Sequence, residues 1–173
     1  YSVLAIDLPG HGFTTMPQAS DIATLFSIPG MAAGVAELLM QMQFKPNIVV
    51  GHSAGAAVAC MLTLNGHIQP QRLVSINGAL LPLDGLAGQV FSPLAKMLTK
   101  APWIPEFFAW QAGRASVLNK LLEGTGSILD TEGTRLYKTL ISNPSHAQAA
   151  LFMMAHWDLH TFWERLKTLQ EPL

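Results

Sequence analysis

Residues 49–57, VVGHSAGAA, set a serine between two glycines directly after an apolar run. A serine hydroxyl attacks a carbonyl carbon only when a base takes its proton and N–H donors meet the developing oxyanion. The pattern G-x-S-x-G addresses the second need. A nucleophile at the tip of a sharp strand-to-helix turn sits in a strained backbone conformation, so its neighbours must be small. The helix that starts there presents unpaired N–H groups and its positive dipole end. Ser53 is therefore the candidate nucleophile, the backbone N–H of Ala54 one oxyanion donor, and Gly51, His52 and Gly55 the rest of the elbow. On this reading Gly51 and Gly55 let strand and helix approach, and Ala54, Ala56 and Ala57 keep the first helical turn slim. The alternative is a plain glycine-rich turn.

The elements that must carry this serine are legible in the spacing. Ile48-Val49-Val50 is short and β-branched, a buried-strand pattern. Residues 54–65 read as a helix with Gly66 as its stop. Upstream, Val35, Leu38, Leu39 and Met42 recur at helical spacing within Met31–Phe44, and Lys45-Pro46-Asn47 ends that helix. Val3–Ile6 reads as a strand closed by the turn signal DLPGHG, and Leu73–Ile76 as a third strand after QPQR. Strand, helix, strand, helix, strand predicts an α/β fold with a parallel sheet. The texture then changes. Ten of the fourteen aromatics fall between residues 80 and 165, prolines divide that stretch, and strand signals vanish. It reads as a helical insertion over the sheet, or else as core helices of the same domain.

DLPGHG at residues 7–12, followed about forty residues later by GHSAG, resembles the α/β-hydrolase superfamily over residues 1–77. The resemblance implies a partial α/β-hydrolase fold: strands 4–6 of a parallel sheet in residues 1–79, a helical lid over 80–165, and a return towards the core at 166–173. It makes His11 and His52 structural or pocket-lining. Within the lid, NGALLPL (77–83), FSPLAKML (91–98), GTGSILD (124–130) and MMAHWDL (153–159) resemble one branch, the magnesium-chelatase accessory proteins of bacteriochlorophyll biosynthesis. That branch implies cytoplasmic work on magnesium tetrapyrroles, with a tetrapyrrole or other apolar small molecule as ligand and magnesium chelatase as partner. The elbow, in turn, predicts serine hydrolase chemistry at Ser53. Two alternatives stay open: a generic serine esterase or C–C hydrolase with an aromatic lid, and a tetrapyrrole-binding helper without turnover.

The base and its orienting acid are harder to place. In this fold they follow the serine in chain order, acid first and then histidine. Both ends of the sequence fall in β-like runs, so it reads as a piece of a longer chain. The acid and base are expected beyond Leu173 and a second oxyanion donor before Tyr1, and the 173 residues alone are expected to be inactive. The family's third strand, which lies between Val3–Ile6 and Ile48–Val50, would also precede Tyr1, and unpaired backbone groups there cost about 1–3 kcal/mol each. Local substitutes are Asp84, which reads more simply as a turn residue, and His67, His146, His156 and His160. His156, His160 and Glu164 are spaced i, i+4, i+8, as a metal-binding helix face would need. Asp158, however, reads as a helix N-cap that would break the face. EGTGS (123–127) is too short for a phosphate-binding loop, so no metal or cofactor is expected. The aromatics of the insertion either pack it or line a pocket for a flat, apolar ligand, with Trp110, Phe152 and Trp157, beside His11, as the pocket candidates.

Composition narrows the classes. Half the residues are hydrophobic and 12% are charged, and the first 71 carry only Asp7, Asp21, Glu37 and Lys45. Such a chain builds a large core or an apolar groove. A net charge of −1 offers no basic stripe for nucleic acid. No apolar run approaches the roughly 18 residues of a transmembrane helix. The single Cys60 reads as a small buried hydrophobe.

Overall fold

The computed structural model describes residues 2–18, 21–82, 97–98, 103–112, 114, 117, 120 and 128–170. Two parallel strands, β1 (Ile48–His52) and β2 (Arg72–Ile76), pair in the register Ile48↔Arg72 to His52↔Ile76. Side chains alternate across a strand. Gly51 and Leu73 are therefore buried on one face, with Val49 and Ser75 partly so, while Val50, Val74 and Ile76 are exposed on the other. The crossover between the strands is helix α3 (Ala54–Leu64). Residues 56–63 of α3 are all buried, as a helix apolar on every side requires. Its one buried hydroxyl, on Thr63, donates to the Ala59 carbonyl at 3.2 Å.

Helix α1 (Ile22–Leu25) is a single turn whose N-cap, Asp21, accepts from the Thr24 N–H at 3.0 Å. Helix α2 (Ile28–Gln41) begins three residues before the predicted Met31. Ser27 accepts from the Gly30 N–H at 3.1 Å and Pro29 occupies the first turn, an N-terminal signature that the apolar spacing alone did not reveal. Its buried face is Ile28, Met31, Ala32 and Val35; the expected Leu38 and Met42 are exposed at its far end.

Among the described residues the further helices are α4 (Trp103–Ala112), α5 (Thr131–Ile141), α6 (Pro144–His156) and α7 (Leu159–Leu166). Ala149 of α6 and Phe162 and Leu166 of α7 belong to the same buried cluster as Phe26, Met31, Cys60 and Met61. The helical region is thus rooted in the α/β core at these residues.

One predicted strand does not form. Val3–Ile6 has no ladder partner, so the sheet of the described residues has two strands and not three. A cleft of about 820 Å³ separates this segment from β1, lined by residues including Val3, Ile6, Leu39, Val49, Val58 and Leu62. A paired neighbour must lie about 4.8 Å away, and the cleft lies where the fold expected from the sequence sets a further strand between the two segments. Asp84 and most of FSPLAKML and GTGSILD lie outside the described residues.

Burial pushes the Cys60 thiol up to about 11, which leaves it protonated and inert at neutral pH. Phe162→Ala empties a nearly fully buried site and is expected to cost about 3–5 kcal/mol. Urea unfolding measures the loss. Labelling of Cys60 by a thiol reagent, slow in the parent protein, should accelerate in parallel. A change under about 1 kcal/mol would show that α7 only overlies the core.

Candidate active site

Ser53 occupies the single position between the end of β1 and the start of α3, with φ 50° and ψ −117°. Few non-glycine residues adopt a positive φ, and such strain costs about 1–3 kcal/mol. Three backbone hydrogen bonds hold it. The Ser53 N–H donates to the Ile76 carbonyl at 3.0 Å, and the Ser53 carbonyl accepts from Ala56 at 3.2 Å and Ala79 at 3.0 Å. The turn is thereby tied to the end of β2 as well as to α3. The Ser53 side chain is exposed and makes no capping bond to the helix. The first N–H groups of α3, beginning with Ala54, have no carbonyl one turn earlier to receive them. An exposed hydroxyl thus stands at a helix N-terminus whose donors can meet an anion.

The two elbow glycines are not equivalent. A Cβ on Gly51 would lie 2.5 Å from both N and Cα of Ala56, backbone that cannot move without shifting α3. A Cβ on Gly55 would meet nothing within 4 Å, so its expected role in close approach is not seen here. A glycine that spacing did not single out takes that role. At Gly78 a Cβ would strike the Ser75 hydroxyl and come 2.9 Å from the Ala56 Cβ. The available signal was the Asn77-Gly78 turn dipeptide just after β2, where Asn77 also has a positive φ. His52 ends β1 opposite Ile76 and is exposed.

The turn at residues 7–14 forms a separate constellation. The His11 Nδ1–H donates to the Pro9 carbonyl at 3.0 Å, which leaves Nε2, buried without a partner, as the unprotonated nitrogen of a neutral ring. The Gly12 N–H donates to His146 Nδ1 at 3.2 Å, and the amide of Asn143 donates to the Gly12 carbonyl at 3.3 Å. Both polar groups of Gly12 are thus met by the start of α6. The two imidazoles meet edge-on at 5.3 Å. Burial lowers the His11 pKa, against the opposing Pro9 bond and Asp7 charge. Burial and the neighbouring His11 lower that of His146, again against Asp7. The sequence pointed to His11 as structural or pocket-lining; its partner 135 positions away was not visible there.

The remaining candidates are dispersed. Phe152 packs against the core ring of Phe26 at 5.4 Å, whereas Trp110 faces solvent. Trp157 caps the end of α6 with its indole N–H buried and unpartnered. His156 ends α6, and Asp158 starts α7 by accepting from the Thr161 N–H at 3.0 Å. The chain turns between them, so His156 and His160 lie on different helices. Glu164 pairs with Lys167 at 2.6 Å. Among the described residues no group of three or more His, Cys, Asp or Glu side chains could hold a metal. His67 is exposed beyond α3. Among the described residues no hydrogen bond joins the Ser53 hydroxyl to a histidine. No helix among them is long and apolar enough to cross a membrane.

Comparison with known proteins accords with this geometry. Residues 1–169 match the Alpha/beta hydrolase family. The chain is 34% identical over all 173 residues to the magnesium-chelatase 30 kDa subunit of Rhodobacter capsulatus, spanning 59% of that protein. Over 76 residues, 44% of this chain and 18% of the other, it is 37% identical to the dihydrolipoyllysine-residue acetyltransferase component of the acetoin cleaving system of Cupriavidus necator. Among solved structures, the epoxide hydrolase CorEH without ligand aligns with TM-score 0.64 and 19% identity, over 87% of this chain and 54% of that one. An alpha/beta hydrolase fold protein from Burkholderia ambifaria aligns with TM-score 0.59 and 17% identity, over 93% and 55%.

Two outcomes follow from the site itself. Gly51→Ala is expected to cost about 1–3 kcal/mol or more by overpacking against Ala56, while Ser53→Gly, which removes the positive-φ penalty, should raise stability; denaturant midpoints of the two variants check both signs. The second concerns pH. His11 and His146 have folded pKa values below their ordinary 6.5. Their contribution is therefore complete above about pH 6.5 and is lost as pH falls towards the lowered values, because the unfolded chain then binds more protons. Thermal midpoints from pH 8 to 5 should drop below pH 6.5, and His146→Gln should flatten the drop.

Proposed function

The chain belongs to the Alpha/beta hydrolase family, and from that premise we propose that it acts in magnesium-tetrapyrrole (bacteriochlorophyll) biosynthesis, in the cytoplasm, as a serine hydrolase with Ser53 as nucleophile. The observation that carries the chemistry is the backbone of Ser53, held at positive φ with its hydroxyl exposed at the start of α3. The pathway rests on the identity to the Rhodobacter capsulatus magnesium-chelatase subunit along the entire chain. That relative makes magnesium chelatase the proposed partner and an apolar tetrapyrrole the proposed ligand.

In the proposed step, Ser53 Oγ bonds to an acyl carbon and the carbonyl π pair moves onto oxygen. The hydroxyl proton passes to a general base, which follows the serine in chain order in this fold. The Ala54 N–H donates to the new oxyanion. Collapse of the intermediate breaks the bond to the leaving group, and the base returns its proton there. The helical region from 80 to 165 is the lid in this reading, and Trp157, with its unpartnered indole N–H, is the side chain that a bound ligand would satisfy.

The relative's description as a chelatase subunit favours a second reading, a tetrapyrrole-binding helper without turnover. Hydrolysis of p-nitrophenyl esters by the whole protein separates the two. Under the hydrolase reading Ser53→Ala lowers kcat at least about a thousandfold and leaves porphyrin binding unchanged. Equal ester turnover in parent and variant refutes the nucleophile. Porphyrin binding with no turnover in either supports the helper.

A further inference from the structure

Both peptide units that flank Ser53 are bonded to the chain at the end of β2. The N–H of the 52–53 unit donates to the Ile76 carbonyl at 3.0 Å, and the carbonyl of the 53–54 unit accepts from the Ala79 N–H, also at 3.0 Å. The sheet brings these residues together in register, since His52 lies opposite Ile76. Asn77, at φ 45°, turns the chain back after β2. Gly78 then passes so close to α3 that a Cβ there would lie 2.9 Å from the Ala56 Cβ. Segment 76–79 thus brackets the backbone of Ser53 from both sides.

A peptide unit is planar and trans, so its C=O and its N–H point in opposite directions. The Ser53 carbonyl and the Ala54 N–H belong to one unit. Whatever fixes the carbonyl therefore aims the N–H, and among the described residues none accepts from Ala54. Hydrogen bonds to the carbonyl also polarise the amide, which makes its N–H a stronger donor. Two donors reach this carbonyl, and they differ in kind. Ala56, at 3.2 Å, lies within α3 and moves with it. Ala79 lies outside the helix, at the shorter distance, and refers the peptide plane to the sheet.

We propose that Ala79 is a positioning residue for the oxyanion site: its backbone N–H holds the Ser53–Ala54 peptide so that the Ala54 N–H faces the oxygen that becomes negative. The assignment rests on the serine hydrolase reading of Ser53. Full charge on that oxygen appears only after attack, so loss of the Ala79 donor acts on turnover and not on substrate binding. The methyl group of Ala79 has no part in this; the role belongs to its backbone.

An amide-to-ester replacement in the whole protein, L-lactic acid in place of Ala79, removes this N–H and keeps the side chain. With p-nitrophenyl esters, kcat is expected to fall at least about tenfold while KM stays within about twofold. Affinity for an alkylboronic acid, whose boron takes up Ser53 Oγ to form an anionic tetrahedral adduct, should fall in parallel with kcat. The matching replacement at Leu80, which removes its 2.9 Å bond to the Gly78 carbonyl, is the control and should leave both unchanged. If the residue-79 variant fails to fold, the parent protein decides by nuclear magnetic resonance. The scalar coupling across the hydrogen bond from the Ala79 nitrogen to the Ser53 carbonyl carbon should be present and should rise when the boronic acid binds; its absence, or no rise, overturns the proposal. Unchanged kcat in a folded residue-79 variant overturns it and leaves Ser53 as nucleophile. So does a fall in kcat with boronic acid affinity unchanged, which assigns the Ala79 bond to stability alone. A parent protein with neither ester turnover nor a boronic acid adduct overturns the hydrolase reading and this inference with it.

Discussion

The carbonyl of Ser53 accepts two N–H groups, from Ala56 at 3.2 Å and Ala79 at 3.0 Å, and the arrangement of the site hangs on that pair of bonds. One begins α3 and the other pins the loop after β2. With the Ser53 N–H on Ile76, they hold the serine in a conformation that its own side chain disfavours. The bonds can form only because Gly51 and Gly78 let strand, turn and helix close on Ala56. A small residue at each of three crossing points is therefore a single geometric requirement, and the exposed hydroxyl is its result.

The strain at Ser53 is sustained by packing elsewhere. Helix α3 is buried on nearly all sides, between the inner face of the sheet, α2 and α7. A helix so enclosed cannot tilt to relax the turn at its N-terminus, because a close-packed interior transmits displacement and does not absorb it. Phe162 and Leu166 complete that enclosure from about a hundred residues downstream. The helical region and the α/β part thus hold the elbow together, although they differ in composition.

The 7–14 turn is organised differently. The 7–14 turn docks on α6 through backbone groups of Gly12 and two side chains at the helix start, Asn143 and His146. Few atoms carry this contact, and two of its members are half-buried neutral histidines. Protonation of either ring weakens this contact, whereas the elbow is held by backbone amides and close-packed glycines. Rigidity at the serine and sensitivity at the turn come from these two kinds of bonding.

Local patterns were legible in the sequence wherever the deciding forces act over a few residues. β1, α3 and β2 stand within a residue or two of their predicted ends, because a β-branched run, an alanine-rich apolar segment and a Gly66 stop each act through their own backbone. The Asp158 cap that separates His156 from His160 was readable for the same reason. Val3–Ile6 was expected to lack a partner beside Ile48–Val50, and it has none among the described residues; the residues did not show the cleft that stands in its place. Nor could spacing distinguish Gly51, where a Cβ meets backbone, from Gly55, where it meets open space, or couple His11 to His146. The sequence by itself determined the sharp serine turn at residue 53 and the elements on either side of it. Which glycines that turn needs, and which aromatics face core or solvent, only the tertiary structure decided, because those answers depend on atoms brought close by the fold from distant points along the chain.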